Sequence, residues 1–276
     1  MLLPMESFMH FWEHIESWQR MAILLGGMVF FWVLEGYYPM FAFSFKRYKH
    51  AGVNLLFLLS TVILNIVLGA ITIKVCDWVT THHIGLLNWL GLPLWANILL
   101  GLFFMDFFGQ YAPHYAMHKI KWMWKFHMIH HSDTKVDVTT GTRHHPGEWV
   151  FREASTIIGV LVIGLPIGMY FLYRSMAAIF THFNHANIRV PLWLDKPISW
   201  ILVSPNMHKV HHHFKRPYTD TNYANIFSLW DRIFGTFAYE DPRNLQYGLD
   251  VLDGSTDENL RYQLRLPFDN TIKTDY

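Results

Sequence analysis

Residues 51–73 read AGVNLLFLLSTVILNIVLGAITI, 23 positions without a charged side chain. A helix crossing the hydrocarbon core needs about 20 such residues, so this stretch is long enough to span. Working outward, residues 84–105 (IGLLNWLGLPLWANILLGLFFM) add 22 uncharged positions. Residues 21–45 form a third run broken only by Glu35, and residues 154–173 (ASTIIGVLVIGLPIGMYFLY) form a fourth with Pro166 inside it. One such run could be the core helix of a soluble protein. Four in one chain read as an all-α integral membrane protein. Composition points the same way, with 52% hydrophobic and 16% charged among 276 residues and mean hydropathy +0.15, against about 25% charged in ordinary soluble domains. So apolar a chain does not stay disordered. Cys76 is the only cysteine, which excludes a disulfide scaffold. Basic and acidic residues balance at 22 against 21, which gives no footprint for nucleic acid.

The flanks suggest how the runs are threaded. Met1–Arg20 lacks the basic start of a signal peptide and carries Glu6, Glu13 and Glu16; it reads as a short amphipathic helix on the membrane surface or as a cap on the first span. Lys46, Arg47 and Lys49 follow the first run, whereas residues 74–83 hold one lysine and one aspartate. The positive-inside rule therefore sets 46–50 on the cytoplasmic side, and two crossings later the chain from about Asp106 is cytoplasmic again. Histidines lie on both sides of the fourth run. If they share one site, that run must enter and leave on one side, so IGLPIG at 163–168 reads as the bend of a helical hairpin over 154–181. The expected architecture is about three full spans (21–45, 51–73, 84–105) plus that hairpin, carrying a cytoplasmic, histidine-rich helical cap. All of it forms one domain over 1–276. A bacterial inner membrane is favoured over the endoplasmic reticulum, since the chain is short and shows no retrieval signal.

The histidines carry the chemistry. Of 18, 13 fall between positions 114 and 213. HYAMH (114–118) has the i, i+4 spacing of one helical face, and HMIHH (127–131) and HKVHH (208–212) the i, i+3, i+4 spacing. A single helical pair is weak evidence. Three clusters beside apolar spans point to metal ligation, where neutral imidazole suits zinc, copper, iron or nickel. About eight to ten such ligands exceed the needs of one ion and fit two, with positions left open. No H-E-x-x-H is present, so a zincin-type hydrolase is not indicated. A set of hydrogen-bonded core histidines or a pH-sensing cluster is the plainer alternative.

The segment 106–140 (DFFGQYAPHYAMHKIKWMWKFHMIHHSDTKVDVTT) resembles the first histidine region of the membrane fatty acid hydroxylase and sterol desaturase superfamily. So do RHHPGE (143–148), HFNHANIRVP (182–191), SPNMHKVHH (204–212) and NYANIFSLWDRIFGTF (222–237). The resemblance covers about half the chain, and makes 106–237 the catalytic region. It implies a non-haem di-iron oxygenase with two irons and O2 as co-substrate. The implied ligands are His114, His118, His127, His130, His131, His185, His208, His211 and His212, with His145 as a tenth that His182 could replace. His144 and His213 are not required by the motif. Asp106 and Asp133 are candidates for fixing a histidine tautomer, or else helix-end carboxylates; Glu148 could pair with Arg143. His10, His14, His50, His82 and His83 are read as bystanders, and Glu35 has no partner visible in the sequence. Trp122, Trp124 and Phe126 read as an interfacial belt. HPGE at 145–148 superficially resembles the start of a cytochrome b5 haem site, but no second histidine segment matches.

Such a site hydroxylates or desaturates an unactivated C–H bond of a membrane lipid (sterol-like, fatty-acyl, ether-lipid or carotenoid), and hydroxylation is favoured on the breadth of the superfamily. The chain carries no electron-supplying module, so an external ferredoxin, or cytochrome b5 with its reductase, is implied. Lys119, Lys121 and Lys125 are its candidate docking surface, or a contact to membrane headgroups. A histidine-rich zinc or copper carrier or sensor is the rival from another class, although the 13 methionines are scattered rather than aligned. A lipid-binding scaffold that had lost its metal would show gaps in the histidine boxes, and all three are complete.

Overall fold

The computed structural model describes residues 4–274, so Met1–Leu3 of the expected surface helix fall outside it. Helix α1 (Pro4–Glu13) precedes α2 (Ser17–Tyr37), whose first turn is closed by Gln19 Oε1 accepting the Glu16 N–H at 2.8 Å. Helix α3 runs from Arg47 to Thr81, 35 residues or about 52 Å, well beyond the ~30 Å of a hydrocarbon core. Among the described residues, two segments are long and apolar enough to cross a membrane, Ser17–Tyr37 and Arg47–Leu90. Their outward faces are greasy, with Phe30 61%, Ile63 59% and Ile66 70% exposed, as lipid contact requires.

The expected third span does not form as one helix. The run divides into α4 (Leu86–Leu90) and α5 (Leu94–Asp106). Gly91 takes a left-handed conformation with φ +57°, and Pro93 stands just outside the next helix; a left-handed cap followed by proline stops a helix. From α5 the chain passes through a π-helical turn, Phe107–Tyr111, straight into α6 (Ala112–Lys119). A kink at Ile120 starts α7 (Lys121–His131), and a 3-10 turn covers Val138–Thr142.

The fourth run forms a hairpin, longer than the sequence reading gave. Helix α8 (Pro146–Ile163) and α9 (Ile167–His185) reverse at Gly164–Pro166, and both open ends lie at the histidines. At the tip, Gly164 (φ +75°) meets Gly85 (φ +100°) backbone to backbone, and a Cβ on either would overlap the other's loop. Glycine is required at both for space and for conformation. Helix α8 lies along α3, and α9 along α2 and α1. The core between α5, α8 and α9 is filled by Met105, Val160, Leu165 and Tyr173. Helix α1 caps the hairpin tip, with Met9 and Glu13 against Gly168.

The remainder covers the open end through short helices: α10 (Leu192–Ile198), α11 (Pro205–His211), α12 (Leu229–Ile233) and α13 (Leu260–Arg265). Glu35 acquires the partners its sequence context hides. It pairs with Arg47 at 2.8 Å and accepts the N–H groups of Val138 (3.0 Å) and Asn187 (2.9 Å), which ties α2 to both flanks of the histidine region.

Candidate metal centre

Four helices converge on one buried volume: α6 brings His114 and His118, α7 brings His127, His130 and His131, α9 ends at His185, and α11 supplies His208, His211 and His212. Their ring nitrogens form two groups, one of His114, His118, His127, His131 and His211, the other of His130, His185, His208 and His212. The two i, i+3, i+4 triplets exchange roles. Helix α7 gives its i, i+4 pair (His127, His131) to the first group and His130 to the second; α11 gives His208 and His212 to the second and His211 to the first.

The spacing fits metal ions. Two ligands about 2.1 Å from one ion and at right angles lie about 3.0 Å apart. Nε2 of His127 is 3.0 Å from that of His114 and 3.2 Å from that of His131, while Nε2 of His185 is 3.2 Å from that of His130 and 3.1 Å from that of His208. Among the described residues, Nε2 of His211 and both ring nitrogens of His212 have no hydrogen-bond partner, a costly arrangement unless something else accepts their lone pairs.

The reverse faces of the rings are held. His114 Nδ1 meets the Tyr223 carbonyl at 2.7 Å, His185 Nδ1 that of Thr181 at 2.7 Å, and His211 Nδ1 that of Thr221 at 2.6 Å. His127 Nδ1 lies 3.0 Å from Glu148 Oε1, and His118 Nδ1 lies 3.4 Å from Asp220 Oδ1. Such contacts fix the tautomer and direct Nε2 inward. Burial, reinforced by neighbouring imidazoles, holds His130, His131 and His211 well below their usual range, and burial pushes His208 down to about 3. The rings are neutral, as ligation demands. The nine residues could hold two metal ions.

A cavity of about 560 Å³ reaches this centre, touching His114, His130, His185 and His208, and runs between α2, α3 and α9 as far as Ser17 and Arg20.

The sequence model of the fatty acid hydroxylase family matches residues 98–236, half of the 276. The chain belongs to the fatty acid hydroxylase family. Relatives include the ornithine lipid hydroxylase OlsE of Rhizobium tropici, 27% identical over 64% of this chain and 51% of that protein. The alkylglycerol monooxygenase of Homo sapiens is 30% identical over 56% of this chain and 33% of its own length. A very-long-chain aldehyde decarbonylase of Oryza sativa subsp. indica is 28% identical over 66% and 68%. The chain thus spans a third to a half of the first two. No solved structure matches.

In this member of the family, nine of the expected histidines come together and two do not. His145 caps α8, its Nδ1 accepting the Gly147 N–H at 3.0 Å with the ring against Phe126. Its extended backbone ahead of Pro146 turns the side chain back over the helix end. The neighbour, His144, faces the centre instead, its ring stacked on His130 at 4.7 Å and its Nδ1 3.0 Å from Glu148. His182 is buried against Gly27 of α2 and joins neither group.

The carboxylates divide between the readings, Asp106 standing at the end of α5 as a helix-end carboxylate. Asp106 accepts the N–H groups of Ile226 (3.1 Å) and Phe227 (2.9 Å) and anchors the closing segment, not a histidine of the centre. Asp133 lies 3.3 Å from His50 and accepts from Thr140, so His50 is no bystander but part of a buried network behind the site. Glu148 pairs with Arg152 at 2.8 Å rather than with Arg143, whose Nε donates to the Ile129 carbonyl. Glu148 and Arg152 stand four apart on one face of α8, and that spacing was the available signal for their pairing. Asp220 had none, being 102 positions from His118 in sequence. Trp124, expected at an interface, is fully buried beside His118, whereas Trp122 is 58% exposed.

Proposed function

We propose that this protein is an O2-dependent di-iron oxidoreductase that hydroxylates an unactivated C–H bond of a membrane lipid. The observation that carries the proposal is the pairing of two inward-facing histidine groups with a cavity that starts at their rings and runs between the long apolar helices. His114, His118, His127, His131 and His211 would hold one iron, and His130, His185, His208 and His212 the other. Iron bound there would supply O2 activation and removal of hydrogen from a C–H bond.

The chain's own residues perform the remaining tasks. The carbonyls of Tyr223, Thr181 and Thr221, with Glu148 and Asp220, orient the rings. The walls of the cavity exclude water and present one carbon of a lipid to the centre, and a small displacement along the chain changes which carbon reacts. The relatives named as lipid and alkylglycerol oxygenases support a lipid substrate. Electrons come from an external ferredoxin or cytochrome b5. The histidine end faces the cytoplasm, with Lys46, Arg47 and Lys49 beside it.

The test is metal content and O2 use on one sample, purified in mild detergent and reconstituted without air with ferrous iron, with His130→Ala alongside. The proposal expects about two irons per chain, oxidised by O2 as a coupled pair and diminished in the variant. Freely exchanging zinc or copper with no reaction toward O2 would overturn it in favour of a metal carrier.

A further inference from the structure

The cavity ends far from the histidines, and its far end is chemically distinctive. Phe171 and His185 both line it and stand 14 residues apart on α9, about 21 Å. That exceeds the ~15 Å that one leaflet contributes to a hydrocarbon core. Between its ends it is walled by Leu24 of α2 and by Val62 and Ile66 of α3, with Met21 and Ile73 near the Arg20 end. Met21 is 41% and Ile66 70% exposed, so the slot is open sideways to lipid between these two helices. Three arginines line it. Arg152 is neutralised by Glu148 at 2.8 Å and Arg174 by Glu153 at 3.0 Å. Arg20 has no carboxylate within 4.0 Å among the described residues. Its guanidinium carbon sits over the Phe171 ring, 4.0 Å from the centroid, and one of its N–H groups donates to Ser17 Oγ at 2.8 Å. Stacking draws the charge over the cavity mouth rather than outward, and leaves its remaining donors for an anion.

We propose that the cavity binds a long-chain lipid end-on, its anionic end group (carboxylate or phosphate) on Arg20 and its chain extended to the histidines. The substrate is then an anionic single-chain amphiphile, or one exposed chain of a larger one, and the carbon presented is far from the charged end. This rests on the oxygenase reading only for what happens at the histidine end. Binding and direction do not depend on iron.

The experiment accordingly uses iron-free full-length protein in a non-ionic detergent. Binding of hexadecanoate, hexadecyl phosphate and hexadecan-1-ol is compared by native mass spectrometry for wild type, Arg20→Gln and Arg20→Lys. The anions are expected to bind about tenfold more tightly than the alcohol; the preference is lost in Arg20→Gln and kept in Arg20→Lys. Equal preference for both anions assigns a charge-only site, and preference for one assigns the end group. Direction is read from hexadecanoate carrying a photoreactive diazirine. Placed at the methyl end it should crosslink Gln110 or Asn225, and placed beside the carboxylate it should crosslink Met21 or Ile73. The reverse pattern, or an anion preference unchanged in Arg20→Gln, overturns the inference. Failure of O2 consumption in the iron-loaded protein would instead remove the oxygenase reading and leave this lipid site standing.

Discussion

Replacing Glu148 by glutamine separates two roles of one carboxylate. Its Oε1 faces His127 Nδ1 at 3.0 Å, His144 Nδ1 at 3.0 Å and Arg152 Nε at 2.8 Å. His144, His127 and Arg152 together hold this carboxylate well below its usual range despite its complete burial. Glutamine keeps the shape and loses the charge, stranding a mostly buried Arg152. Breaking one side of a buried pair costs about 3–5 kcal/mol. Separately, releasing the back of a ligating histidine weakens metal affinity about 10- to 100-fold, and of the two all-histidine groups His127 belongs to the five-histidine one alone. The assay is twofold: thermal unfolding of metal-free protein, and competition of a graded chelator against the loaded protein. Glu148→Gln should lose both stability and affinity, and the affinity loss should fall on one of the two metals. Adding Arg152→Gln removes the stranded cation, so most of the stability should return while the affinity stays low. Recovery of both in the double variant would refute the reasoning, since the carboxylate would then act only as a counter-ion.

Other consequences are as direct. His145→Ala should leave metal affinity unchanged and cost about 1 kcal/mol for the lost helix cap, whereas His144→Ala should weaken the loaded state; the same chelator titration reads both. Gly164→Ala forces a Cβ into a left-handed turn against the Ile84 carbonyl and should cost at least about 1–3 kcal/mol, seen as a lower unfolding temperature in detergent. Metal-free protein should lose stability as pH falls through 6.5: the buried rings, with His118 and His208 each held at about 3, stay neutral when folded while the unfolded chain takes up protons. Loaded protein should resist that acidification over the same window, because protons and metal compete for the same nitrogens. A flat pH profile for the metal-free form would contradict the burial argument.

What the sequence made legible follows from what is local. The i, i+3, i+4 spacings of 127–131 and 208–212 placed three imidazoles on one helical face, and Pro166 with Gly164 marked the hairpin bend. The division of each triplet between two groups depends on how α7 meets α11, which no local pattern encodes. His144 and His145 are adjacent in the chain and chemically identical. Only the extended backbone before Pro146, which turns one ring away and leaves the other inward, separates them. The third apolar run has the charge and length of one span, but Gly91 and Pro93 divide it into two helices, a signal that a count of apolar positions passes over. Glu35 looked stranded because two of its partners, Val138 and Asn187, are more than 100 positions distant.

The π turn at Phe107–Tyr111 has a consequence for how this chain can change. A π turn holds one residue more than an α turn, and Gly109 within it passes so close to the Tyr173 hydroxyl that no side chain fits. Each residue of helix advances the side chains by about 100°. The turn absorbs that extra residue, so deleting Gly109 would restore a regular α turn and keep α5 and α6 almost in phase. The same single-residue deletion in the regular helix on either side would rotate one against the other by that angle. Either His114 and His118 would then swing off the centre, or Leu102 and Met105 would leave the core. The π turn is therefore a slack link between an apolar stripe and a ligand stripe on one continuous rod, where the chain can lose a residue by a single-codon deletion without putting the two out of step.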